Sequence, residues 1–135
     1  MWAETSGRLE EIHSIILKEC EKYSCNKNKI VITGASRGAI GTWAIVSKYP
    51  GFFYSAVPVS CGGSVNPHNF IGTKVRAFAG TVGSDEQGYN SSMRSIVNSI
   101  NNAGGNATFI ELTGKSHMNT PQYAYTKDTL EWMIK

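Results

Sequence analysis

The chain has no apolar run long enough to cross a membrane as a helix. No signal peptide is legible, so cytoplasm is the expected compartment, or secretion if the chain belongs to a longer precursor. Low-complexity tracts, repeats and charge blocks are missing as well. Charged residues make up only 17%, the net charge is +3, and Lys and Arg are scattered. Without a basic stripe interleaved with aromatics, neither nucleic acid nor a membrane surface is an expected partner. The 3 cysteines are an odd number with no metal-ligand spacing, so they form neither a disulfide framework nor a metal site. Cys20 and Cys61 read as core residues and Cys25 as a helix-end or loop residue. A Cys20–Cys25 bridge is left open.

What is present is abundant glycine and an ordinary apolar content, 14 and 41% respectively, over a length that suits one domain, 1–135. The pattern alternates. Residues 6–24 read as an amphipathic helix with Leu9, Ile12, Ile16, Cys20 and Tyr23 on one face and Ser6 as N-cap. Strands are expected at 29–33, 55–60, 75–81 and 107–112, the first two apolar on both faces. Helices are expected from Ser36 to about Lys48, across Tyr89, Met93, Ile96, Val97 and Ile100, and over 125–134 with Leu130 and Met133 inward. Residues 83–88 and 113–120 read as loops. This order implies an α/β fold, a parallel sheet of about four strands with helices on both faces.

One stretch stands out, Lys29-Ile30-Val31-Ile32-Thr33-Gly34-Ala35-Ser36-Arg37-Gly38. It reads as strand, sharp turn and helix, with Ser36 at the apex and glycines at −2 and +2. Both glycines are expected where no side chain fits. The helix N-terminus then faces Ser36, and the Arg37 N–H is placed to stabilise an oxyanion. A serine needs a base, and the base needs an orienting acid. Asp85 and His117 follow in the order Ser…Asp…His, on loops at the carboxyl ends of strands, where such folds bind ligands. Asp85 is preferred as the acid, with Glu86 as the alternative. His13, His68, Trp43, Trp132 and Tyr49 read as structural or solvated. Asn66, Asn69 and Phe70 are candidates for a pocket rim.

A rival reading exists. Thr33-Gly34-Ala35-Ser36-Arg37-Gly38 resembles the glycine turn of short-chain dehydrogenases, and Asn101-Asn102-Ala103-Gly104 and Tyr123-x-x-x-Lys127 encourage it. The spacing argues against it. Gly38 to Gly41 has one residue too many, and no charged ribose-binding residue follows in 54–60.

With the elbow, Lys48-Tyr49-Pro50, Ala56-Val57-Pro58-Val59-Ser60-Cys61-Gly62-Gly63, Val75-Arg76-Ala77-Phe78-Ala79-Gly80 and Gly114-Lys115-Ser116-His117, the chain resembles the C-terminal half of an α/β-hydrolase of the esterase and S9-peptidase-like kind. The resemblance implies a truncated or minimal version of that fold. It also implies a Ser36–His117–Asp85 triad, a small carboxylic ester as substrate, and no cofactor or metal. Two departures accompany it. The family's usual acid position is Gly83 here, and the family's first strands, with the loop giving the second oxyanion donor, are absent. An apolar edge strand at 29–33 then invites pairing, so a homodimer or higher homo-oligomer is expected. The alternative to an enzyme is a catalytically inactive hydrolase-like fragment or binding module.

Overall fold

The computed structural model describes residues 6–135. Four strands form one parallel sheet, β1 (Val31–Ala35), β2 (Ser55–Val59), β3 (Lys74–Val82) and β4 (Ala107–Ser116), in the order β1-β2-β3-β4. The helices are α1 (Arg8–Lys22), α2 (Arg37–Lys48), α3 (Ser84–Asn102), α4 (Thr120–Ala124) and α5 (Lys127–Ile134). A 3-10 turn at Pro67–Phe70 precedes β3.

Strand periodicity sorts the core into two layers. Ala56, Val75, Ala77 and Ala79 face α2 and α3, where Trp43, Ile45, Val46, Met93, Val97 and Ile100 cover them. Leu9, Ile12 and Ile16 of α1 pack at the margin of this layer. Val57, Val59 and Phe78 point to the opposite face and meet Ala124 of α4 and Met133 of α5. β2 is buried along its whole length, as an interior parallel strand must be. It nevertheless contains Pro58. The β2–β3 register runs through Ser55, Ala56 and Val59 and skips Val57 and Pro58, which fits the missing N–H of proline.

β1 is at the sheet edge. The Ser36 N–H donates to Val59 O, so even-numbered residues of β1 turn their backbone toward β2. By the period of two, Val31, Thr33 and Ala35 present theirs outward.

Several boundaries differ from the sequence expectations. Gly7, at φ 79°, caps α1 in place of Ser6 and offers no side-chain bond. Leu130 is 53% exposed, because the 125–134 segment breaks at Tyr125 and restarts at Lys127 under a Thr126 cap; Thr129 and Met133 turn inward instead. Phe70 is buried against Trp43, and Asn69 donates to Ser47 O, so neither lines a rim. Cys20 is buried and pairs with Cys25, whereas Cys61 is a free, half-buried thiol and not a core residue. His13 stacks on Tyr49 at the α1–α2 margin, with both rings half-buried, and His68 is exposed. Trp43 is fully buried, and Trp132 packs half-buried beneath the Lys74 and Arg76 side chains.

Candidate active site

Ser36 stands between β1 and α2 at φ 57° and ψ −118°. A non-glycine residue in so sparsely populated a conformation costs on the order of 1–3 kcal/mol and persists only where its surroundings hold it. The turn is tight enough that a Cβ on Gly34 would lie 2.2 Å from the Gly38 carbonyl oxygen. Gly34 is therefore obligatory. Gly38 is not obligatory on the same ground: among the described residues nothing lies within 4 Å of a Cβ placed there. The crowding is one-sided, and what Gly34 must avoid is the Gly38 backbone. Arg37 opens α2, so its N–H has no place in the helical ladder and remains free for a ligand near Ser36. Its side chain is exposed.

The first half of the 113–120 segment is strand, not loop. β4 runs on to Ser116, and His117 follows at its carboxyl end. The His117 Nε2 is 2.9 Å from Ser36 Oγ. Its Nδ1 is 2.9 Å from Glu86 Oε2. Asp85 does not take this position. The segment expected as a loop at 83–88 is helix from Ser84 onward, and that decides which acid points inward. Successive helical residues turn by about 100°, so Glu86 enters the core at 1% exposure while Asp85 faces solvent.

Around Glu86 are groups that sequence reasoning missed. Its Oε1 accepts from the Gly80 N–H and from the Ser60 hydroxyl, both at 2.7 Å. The Ser60 hydroxyl also contacts Thr120 Oγ1, which lies 3.1 Å from His117 O. Ser60 and Thr120 are both fully buried. Oε1 therefore accepts from two donors at once. Ser60 follows β2 at its carboxyl end, on the same rim as Ser36, and that position was the available signal. Gly80 allows the approach, since a Cβ there would strike the Lys115 carbonyl oxygen at 2.1 Å.

Tyr89 and Cys61 flank the group. The Tyr89 ring centroid is 5.3 Å from that of His117, and burial pushes its phenol above the ordinary range. Burial, with a smaller effect from the Glu86 charge, also pushes the Cys61 thiol up. The Cys61 carbonyl accepts from Trp43 Nε1 at 2.9 Å, which ties the loop after β2 to α2.

Tyr123 and Lys127 do not form a dehydrogenase pair. Tyr123 lies on α4 under the Lys115 ammonium, and Lys127 begins α5, facing Glu131. Among the described residues no group of three metal-ligating side chains is assembled. No helix there is long and apolar enough to cross a membrane.

No known protein family's sequence profile matches the chain. No curated protein sequence matches it either. Solved structures do. A thermostable esterase superposes with a TM-score of 0.81 at 24% identity, over 93% of this chain and 36% of its own. The Bacillus cereus carboxylesterase gives 0.69 at 20%, over 93% and 58%. A bacterial esterase gives 0.70 at 18%, over 93% and 42%. The chain thus spans between about a third and three-fifths of the length of these structures. Its four-stranded parallel sheet, with helices on both faces and a serine elbow after β1, has the fold of the α/β-hydrolases.

Proposed function

We propose that the chain is a serine hydrolase acting on a small carboxylic ester. The observation that carries this is the continuous hydrogen-bonded line from Ser36 Oγ through His117 to Glu86. Ser36 would attack the ester carbonyl while His117 Nε2 takes its proton. The Arg37 N–H would receive the developing oxyanion. Collapse would expel the alcohol, protonated by His117, and leave an acyl-Ser36. Water, activated by the same histidine, would then release the acid. Glu86 would hold the Nδ1–H tautomer and stabilise the imidazolium, and Asp85 would have no part. The esterase neighbours agree with this reading at the level of fold.

Among the described residues the Arg37 N–H is the donor placed at Ser36, and a single donor is worth on the order of 10²–10³ in rate. An activated ester, p-nitrophenyl acetate, is therefore the substrate to try. The open β1 edge supports the further proposal of a homo-oligomer.

The test is covalent labelling by a fluorophosphonate, with p-nitrophenyl acetate turnover alongside. Wild type is expected to label and Ser36→Ala to lose both labelling and turnover. A folded wild type that stays unlabelled would overturn the proposal in favour of a non-catalytic, hydrolase-like binding module.

A further inference from the structure

We propose that Ser60 and Thr120 form a hydroxyl relay that fixes the Glu86 carboxylate and, through it, the orientation of His117. The proposal rests on the serine-hydrolase reading of Ser36 for its catalytic consequence. Its structural core, the geometry of the Glu86–His117 hydrogen bond, stands independently of that reading.

Four elements converge on one carboxylate. Glu86 comes from the first turn of α3, Gly80 from β3 and Ser60 from just past β2, while Thr120, at the start of α4, joins through Ser60. Proton counting orders the contacts. Each hydroxyl has one hydrogen to give. The strongest use of the Ser60 hydrogen is the charged Glu86 Oε1, 2.7 Å away. With that hydrogen on Glu86, the close Ser60–Thr120 contact is attractive only if Thr120 turns its own hydrogen to Ser60 Oγ and away from the His117 carbonyl, its other acceptor. The direction runs Thr120 to Ser60 to Glu86. Thr120 also lies against the His117 carbonyl oxygen, three residues back. One buried side chain therefore touches both the backbone that presents the base and the hydroxyl that holds the acid.

Ser60 bears the mark of a position held for such a purpose. It has φ 57°, one of three non-glycine residues at positive φ among the described residues, and another of the three is Ser36. Glycine would fit that backbone with less strain. A serine there, fully buried with its hydroxyl on a carboxylate, trades backbone ease for a hydrogen-bond donor. Ser60 and Thr120 touch no reacting atom in this arrangement, so both are positioning residues.

The distinguishing variant is Ser60→Gly. It relieves the backbone at φ 57° and removes the small hydroxymethyl side chain, so a packing role alone predicts a change in stability but none in the His117 resonance. Thr120→Val removes the second hydroxyl at constant shape, and Thr120→Ser restores it. Two readouts are taken on the whole chain. The first is the low-field proton NMR resonance of the His117 Nδ1–H in its bond to Glu86. The second is the rate of fluorophosphonate labelling, measured also in a Glu86→Gln background. Loss of one hydrogen bond to a charged group predicts labelling slowed about tenfold in Ser60→Gly and Thr120→Val, and restored to within about twofold in Thr120→Ser. In the Glu86→Gln background the same changes should produce no further loss. The low-field resonance should move or vanish in Ser60→Gly and Thr120→Val and persist in Thr120→Ser. A resonance that responds in this way while wild type does not label would uphold the relay and overturn the hydrolase reading. A resonance absent from wild type or unmoved by Ser60→Gly, or labelling losses that add in full to those of Glu86→Gln, would overturn the relay.

Discussion

Replacing Glu86 by glutamine tests the acid assignment at nearly constant shape. The carboxylate meets three donors: Gly80 N–H and Ser60 O–H at Oε1, and His117 Nδ1 at Oε2. A carboxamide has one accepting oxygen and one donating NH₂. If the oxygen stays at the Oε1 position, the NH₂ faces His117 Nδ1. The imidazole must then accept at Nδ1 and carry its proton on Nε2, where it cannot take the proton of Ser36, 2.9 Å away. If the amide flips, the NH₂ opposes the Gly80 N–H, and a buried donor loses its acceptor. The first arrangement is the cheaper, and it selects the wrong tautomer. The same error in a serine protease costs about 10⁴-fold in rate. Glu86→Gln is therefore expected to slow fluorophosphonate labelling by that order while the circular dichroism spectrum stays that of wild type. Asp85→Asn, on the solvent face of α3, should label within about twofold of wild type. Equal losses in both variants, or a large loss in Asp85→Asn alone, would refute the reasoning.

Three further outcomes follow from the geometry. Gly34→Ala places a Cβ 2.2 Å from the Gly38 oxygen, so it should cost at least about 2 kcal/mol in urea unfolding and abolish labelling, whereas Gly38→Ala should be neutral or stabilising by up to about 1 kcal/mol. The Cys61 thiol is pushed up by burial and by Glu86, so less thiolate is present at any given pH; its alkylation by iodoacetamide should inflect above the pH of a free cysteine, and Glu86→Gln should move that inflection part of the way back down. Pairing of copies through the outward backbone of Val31, Thr33 and Ala35 should be lost in Val31→Pro, which removes an outward N–H at the first strand residue and leaves the β2 ladder whole; an unchanged mass by light scattering would sink that interface.

What was legible in the chain was what short-range chemistry dictates. Gly34 and Ser36 announce a sharp elbow because no side chain fits beside the Gly38 carbonyl. The nearness of His117 to Ser36 was legible from its place after the last strand, on the same rim. The alternation of strand and helix forces a parallel sheet, and both core layers follow from it. Which carboxylate meets His117 was not legible, and the reason is angular. Asp85 and Glu86 are adjacent in sequence and differ in direction by about 100° once they lie on a helix. Which one faces inward depends on where α3 begins, and the reading of 83–88 as a loop erased that phase. With the helix starting at Ser84, the longer glutamate side chain is the one that reaches His117 from inside the core.

The groups around Glu86 were invisible for a different reason. A serine at a strand end and a threonine before a proline are common in turns, and nothing local marks Ser60 or Thr120 as parts of one network. Their meaning is set by convergence from residues 26 and 34 positions away, through contacts that only the folded sheet brings about. The same convergence explains how a buried charge is tolerated. A lone carboxylate at 1% exposure would be strongly unfavourable in so apolar a setting. The Gly80 N–H, the Ser60 hydroxyl and His117 Nδ1, from three separate segments, offset that cost. Assembly of the site is thereby tied to assembly of the sheet. Burial of Glu86 and placement of His117 beside Ser36 thus draw on the same contacts.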